Sequence, residues 1–107
     1  PPVAQQGARP PVALLVNATS VGLDPSVPDD DALAGLGLEG ADAPPLVVDL
    51  VYRGDGEPTP VAAWAGAAGS EVVDGLEVLV RQGARSFSLW TGLDAPLNAM
   101  RAAARAA

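Results

Sequence analysis

Apolar and polar positions fall along this chain in blocks. Val12–Val16 is a continuous apolar run, the pattern of a strand covered on both faces. Small, polar and turn-prone residues follow from Asn17 to Gly22, as where a parallel strand exits into a loop. The pattern is lost from Leu23 to Pro45, which holds "PSVPDDD" and "EGADAPP". Asp29–Asp31 can cap a short helical stub around Ala32–Leu36, but a solvated acidic loop is the favoured reading of such a charge run. Pro45–Tyr52, "PLVVDLVY", is a second buried strand. It runs into the turn cluster "RGDGEP", where Arg53-Gly54-Asp55 reads as a plain turn rather than an adhesion signal. Thr59 and Pro60 open a helix as N-cap and first helical residue. That helix runs to about Ala68, with Gly69 as its C′ residue.

"SEVVD" supplies a third short strand, and a long helix runs from Gly75 to about Thr91, ended by Gly92. Asp94 can cap a final helix, "APLNAMRAAARAA", whose Arg101 and Arg105 suit the negative end of a helix dipole. Strands alternating with helices predict an α/β fold with a doubly wound parallel sheet. The opening "PPVAQQGARPP" predicts an extended arm over residues 1–12.

The long helix poses a specific question. At about 100° per residue, Glu77, Arg81, Arg85 and Ser88 share one stripe, with Glu77 and Arg81 a favourable i, i+4 pair. Leu76, Leu79, Val80, Gly83, Phe87 and Trp90 form a broad apolar face. Gln82 lies on a third side with Gly75, Val78, Ser86 and Leu89. Burying an amide without partners costs about 1–3 kcal/mol. Gln82 therefore either bonds neighbouring backbone, the reading the pattern favours, or points into a polar cavity that takes a ligand.

Composition narrows the chemistry. The chain has 107 residues, enough for one small domain. Its aromatic residues are Tyr52, Trp64, Phe87 and Trp90. A core of Ala, Val and Leu buries little area per residue, at roughly 25 cal/mol per Å², so isolated stability is expected to be marginal. The net charge of −7 argues against nucleic acid or an anionic membrane as a main partner. The sequence contains no histidine, lysine or cysteine. Imidazole and ammonium acid–base chemistry, thiol chemistry and thiolate metal sites are thereby excluded. No catalytic residue and no metal ligand is assigned. Absent cysteine fits a cytoplasmic location, and no signal-peptide pattern or bilayer-length apolar run is visible.

Ligands of doubly wound sheets bind outside the carboxyl ends of the strands. "NATSVG" stands at such an end, with Asn17, Thr19 and Ser20 able to bond a ligand and small neighbours that let it approach the backbone.

Four segments, "LLVNATSVG", "PLVVDLVY", "TPVAAWAGAAG" and "VVDGLEVLVRQGARSFSLWTG", together resemble the carboxyl-terminal half of shikimate dehydrogenase. Asp74-Gly75, Gln82-Gly83-Ala84, Phe87 and Trp90 are the most diagnostic. The resemblance implies the carboxyl-terminal half of a Rossmann-like, dinucleotide-binding domain over residues 13–92. It implies that 93–107 is a helix packing on the family's substrate domain. It also implies reduction of 3-dehydroshikimate to shikimate with NADPH in aromatic biosynthesis. Asn17, Ala18, Thr19 and Ser20 would line the cofactor loop. Leu50 would approach the nicotinamide, and Gly75 would contact it through its backbone. Tyr52 would lie at the substrate pocket, and Gln82 would bond a substrate hydroxyl, which favours ligand binding for that carboxamide.

Departures accompany the resemblance. The family's catalytic lysine and aspartate belong to its substrate domain, and this chain has no lysine. The family's G-x-G-G phosphate loop and the basic stretch that selects NADP over NAD are missing, so NAD stays open. Val78 replaces a usual methionine, a modest packing change. The chain is expected to be a carboxyl-terminal piece, inactive alone. A quinate or quinate/shikimate dehydrogenase relative and a non-catalytic binding or regulatory remnant are the alternatives. Without the substrate domain, Leu97 and Met100 are expected to be exposed or to drive self-association.

Overall fold

A computed structural model describes residues 12–106; most of the expected amino-terminal arm lies outside them. Three short strands, β1 (Leu14–Asn17), β2 (Leu46–Asp49) and β3 (Glu71–Asp74), form a parallel sheet in the order β1-β2-β3. Four helices flank it: α1 (Asp29–Gly35), α2 (Pro60–Ala67), α3 (Gly75–Thr91) and α4 (Leu97–Ala106). The α/β class with a parallel sheet agrees with the alternation in the sequence.

One face of the sheet carries the core. Leu15, Val47 and Val72 are aligned across the three strands and pack with Leu38, Val61 and Ala65. Leu33, Leu36 and Trp64 close the cluster from α1, the turn after it and α2. Thr59 caps α2, its Oγ1 accepting from the Ala62 N–H, with Pro60 in the first turn. The left-handed glycines expected after two helices are present, Gly69 at φ 82° and Gly92 at φ 70°.

Five expectations are corrected. Asp29–Asp31 form the first turn of α1 rather than a loop, and none of them caps it through its side chain. Three carboxylates at a helix N-terminus complement the dipole, while Ala32 and Leu33 on the next turn reach the core. β1 is not covered on both faces: Leu14 and Val16 are each 47% exposed. α1 and α2 pack on the Leu15–Val47–Val72 side, and the sheet ends at β1 among the described residues.

The broad apolar face assigned to α3 splits. Val80 and Ala84 are buried, whereas Leu79 and Trp90 are exposed, Trp90 at 85%. α4 contacts α3 from Glu77 to Gly83, so Trp90 lies beyond these contacts, whereas Leu79 lies between them and faces away. Finally, Leu97 and Met100 are half-buried, because α4 folds back onto α3. Met100 fills the space over Gly83, where its Cε lies 3.2 Å from the position a Cβ would take.

The turn before α4 is closed by the Leu97 N–H bonding the Ala95 carbonyl, so Asp94 is not its cap. Arg53-Gly54-Asp55 is the expected turn, with the Gly56 N–H bonding back to the Arg53 carbonyl at 3.3 Å.

Candidate functional site at the carboxyl edge of the sheet

Parallel strands deliver three segments to one edge. Asn17, Asp49 and Asp74 are register partners at the last position of their strands. Beyond them lie the loop from Ala18, the segment Leu50–Tyr52 and the start of α3 at Gly75. The Leu50 N–H bonds the Asn17 carbonyl at 3.1 Å, so the first two segments leave the sheet side by side.

Asp49 organises this edge. Its side chain is fully buried, on the same face as Val47. Asn17 Nδ2 donates to its Oδ1 at 3.0 Å and the Val51 N–H donates to the same oxygen at 3.1 Å. The Thr59 hydroxyl donates to Oδ2 while accepting from Ala62 as the α2 cap. Burying a carboxylate is costly unless donors surround it, and here every contact is a donor. The signal for Asp49 in the sequence was a lone acid inside the apolar run "PLVVDLVY"; pattern reading passed over it because a single charge does not break strand periodicity.

The loop after β1 is built from inside. Asn17 is buried, and its Nδ2 also donates to the Val21 carbonyl at 3.1 Å. Its Oδ1 accepts from the Thr19 N–H at 3.1 Å and the Thr19 hydroxyl at 2.6 Å. Thr19 Oγ1 in turn accepts from the Val21 N–H. The Asn17 carboxamide is thus committed to shaping the loop. Ala18, Thr19 and Ser20 are exposed and present small side chains outward. Arg53 fastens the far end, its Nε donating to the Gly22 carbonyl at 3.1 Å.

Leu50 and Tyr52 are 40% and 44% exposed, forming an apolar ledge beside that loop. Gly75 is buried beneath it. A Cβ there would fall on the Leu50 carbonyl, 2.8 Å from its carbon and 2.9 Å from Tyr52 Cδ1. Only glycine lets α3 start so close to the ledge. Asp74 ends β3 and caps α3, its Oδ1 accepting from the Glu77 N–H at 2.8 Å.

Gln82 sits apart from this ledge. It is exposed, which corrects the picture of a buried helix face. It lines an open groove of about 840 Å³ with Val73, Val78, Ser86 and the charged stripe of Glu77, Arg81 and Arg85. Gly75, Val78 and Gln82 lie on one stripe of α3, so Gln82 stands two turns, roughly 10 Å, along the helix from Gly75. The structure brings together Asn17–Ser20, Leu50, Tyr52 and Gly75, with Gln82 at the outer end of the same stripe.

Ion pairs hold α4 onto α3. Arg101 Nε bonds Glu77 Oε1 at 2.7 Å, and Arg81 Nε bonds Oε2 at 2.9 Å. These hydrogen bonds, first from Arg101 and then from Arg81, hold the Glu77 carboxyl down from 4.5 to about 2. Arg105 Nη2 lies 3.0 Å from Asp74 Oδ2. Arg101 and Arg105 therefore answer acids on α3 and β3, a stronger reason for their placement than the dipole. Among the described residues no cluster of acidic side chains is arranged to hold a metal ion, and no helix is long and apolar enough to cross a membrane. Chemically, the edge offers hydrogen bonds and an apolar ledge, and no imidazole or ammonium.

Comparison with known proteins gives a consistent set of relatives. Residues 75–105 match the model of the shikimate 5'-dehydrogenase C-terminal domain. The chain is 39% identical to an NADP(+) shikimate dehydrogenase of Methanothrix thermoacetophila, over 88% of this chain and 32% of that protein. It is 43% identical to one from an Anaeromyxobacter strain, over 99% of this chain and 39% of that protein. Among solved structures, the Thermus thermophilus enzyme in complex with NADP(H) and shikimate superposes with a TM-score of 0.62 at 38% identity, covering 88% of this chain and 33% of that one. The Mycobacterium tuberculosis enzyme gives 0.62 at 34% identity, covering 89% and 32%. The chain spans about a third of the length of the relatives it matches. Its sequence and Rossmann-like fold are similar to the carboxyl-terminal portion of the shikimate dehydrogenases.

Proposed function

We propose, for a chain similar to the carboxyl-terminal portion of the shikimate dehydrogenases, that it forms the nicotinamide-facing part of an NADP-dependent oxidoreductase acting on shikimate and 3-dehydroshikimate. The observation that carries this reading is the convergence at one sheet edge of the exposed Ala18–Ser20 loop, the Leu50–Tyr52 ledge and Gly75. A flat apolar ledge beside small polar residues fits a nicotinamide ring and its amide. A bound NADP supplies hydride transfer.

In this reading Asn17 shapes the loop, and Ala18, Thr19 and Ser20 offer backbone and hydroxyl groups to the cofactor. Leu50 lies against the ring, Gly75 keeps α3 out of its way and Tyr52 borders the substrate. Gln82 extends the substrate side along α3 and donates or accepts at a substrate hydroxyl. Residues 13–92 form the cofactor-side unit, and α4 follows it. The residues of this chain hold and orient, which is a positioning role; the family resemblance assigns proton transfer to a lysine–aspartate pair of the substrate domain, and this sequence has no lysine. The chain by itself is therefore proposed to bind without turning over.

Calorimetric titration of the pure chain tests the binding half, with NADP+, NAD+ and shikimate in turn. Saturable heat with NADP+ is expected, and no heat with either dinucleotide contradicts the reading. Shikimate-dependent reduction of NADP+ that copurifies with a species of this chain's mass would overturn the claim that it does not turn over alone.

A further inference from the structure

We propose that Asp49 is a positioning residue that sets the cofactor loop and the Leu50–Tyr52 ledge as one unit; this rests on the cofactor reading above. Its carboxylate is bonded by the loop side, through Asn17 Nδ2, by the ledge side, through the Val51 N–H, and by the start of α2, through the Thr59 hydroxyl. These donors come from three segments far apart in sequence. Asn17 can turn only one way while Nδ2 faces Asp49 and the Val21 carbonyl. That orientation leaves Oδ1 to accept from Thr19, which fixes the outward course of Ala18–Ser20. Asp49 itself is fully buried, so it acts on a ligand only through these neighbours. Of the residues it holds, Thr59 also caps α2, so the same carboxylate ties the edge to the core-forming helix.

Geometry predicts how substitutions divide. In Asp49→Asn, a carboxamide oxygen at the Oδ1 position still accepts from Asn17 and Val51. Its amide then faces Thr59, whose hydroxyl already accepts from Ala62 and loses its acceptor. The loop and ledge are preserved at the expense of the α2 start. In Asp49→Ala the Val51 N–H and the Thr59 hydroxyl lose their acceptor, and Asn17 Nδ2 keeps only the Val21 carbonyl. In Asn17→Ala only the loop is released, while Val51 keeps its bond.

The test is amide hydrogen exchange of the full chain, followed by NADP+ titration, for wild type, Asp49→Ala, Asp49→Asn, Asn17→Ala and the core control Val47→Ala. Exchange is read at Thr19 and Val51 relative to Ala84 on α3. Asp49→Ala is expected to lower relative protection at both amides about tenfold and NADP+ affinity by a similar factor. Asp49→Asn should restore both to within about threefold of wild type. Val47→Ala, on the same face of β2, lowers overall stability by leaving a cavity but removes no hydrogen bond at the edge, so the relative protection and affinity are expected to stay within about twofold.

Should Asp49→Ala not fold, Asn17→Ala carries the test, with protection lost at Thr19 and kept at Val51. Unchanged protection at Thr19 in Asp49→Ala, or in Asn17→Ala where that variant carries the test, overturns the proposal, as does lost protection there with unchanged NADP+ affinity. If the wild-type chain takes no NADP+, the cofactor reading fails by itself, and the exchange ratios still decide whether Asp49 sets the loop and ledge.

Discussion

The carboxyl edge of the sheet and the α3–α4 pair are held by opposite kinds of polar contact. At the edge, a fully buried carboxylate is satisfied by uncharged donors, Asn17, Val51 and Thr59. Where α4 meets α3 and the end of β3, Glu77 and Asp74 pair with Arg101 and Arg105, which are a third to a half exposed. The buried arrangement is insensitive to salt and intolerant of substitution. The exposed one is soft, screened and sensitive to pH. A binding edge profits from the first kind, because its geometry persists before a ligand arrives.

Substitution at Gly75 should break the comparison most strongly. Gly75→Val places its Cβ on the Leu50 carbonyl, where neither backbone segment can give way without moving the ledge. A loss of about 3 kcal/mol is expected, read as a lowered denaturant midpoint. Asn17→Ala comes next, with about 2 kcal/mol, since it strips a donor from buried Asp49 and an acceptor from Thr19. The same denaturation series checks it, and a loss no larger than at a surface site would place the two regions on a par.

Acid should act on the other region. A carboxyl held below its ordinary value contributes stability above that value and loses it as pH falls through the lowered one. For Glu77 the contribution is complete above about 4.5 and disappears as pH falls toward about 2. Protection of the α4 amides, corrected for intrinsic exchange, should fall across that window, and Glu77→Gln should remove the part of that fall that Glu77 contributes. The smallest effect is expected at Asp94→Ala, within about 0.5 kcal/mol, because the turn before α4 is closed by backbone. A larger loss on denaturation would restore Asp94 as a cap.

Much of this architecture was legible in the sequence because local chemistry states it. Thr59-Pro60 and Gly92 mark helix ends by stereochemistry, and the apolar runs before Asn17 and after Pro45 mark parallel strands. Asn17–Ser20 leave the carboxyl end of β1 as the strand pattern implies, whereas Leu50, Tyr52 and Gly75 were named only through the family resemblance. What was not legible depends on partners distant in the chain. The burial of Asp49 requires Asn17 and Thr59 to converge from either side of it. The fate of Trp90 and Met100 depends on how far α4 reaches along α3, which helical periodicity does not encode. Gln82 read as buried because its neighbours are apolar, yet its stripe faces an open groove.

The most direct measurement is an amide-correlation NMR spectrum of the chain with NADP+ and then shikimate added. The account predicts a dispersed spectrum in which NADP+ moves Ala18, Thr19, Ser20, Leu50 and Gly75, and shikimate then moves Tyr52 and Gln82. A dispersed spectrum that neither ligand changes would contradict it, since the edge would then be folded as described and bind neither.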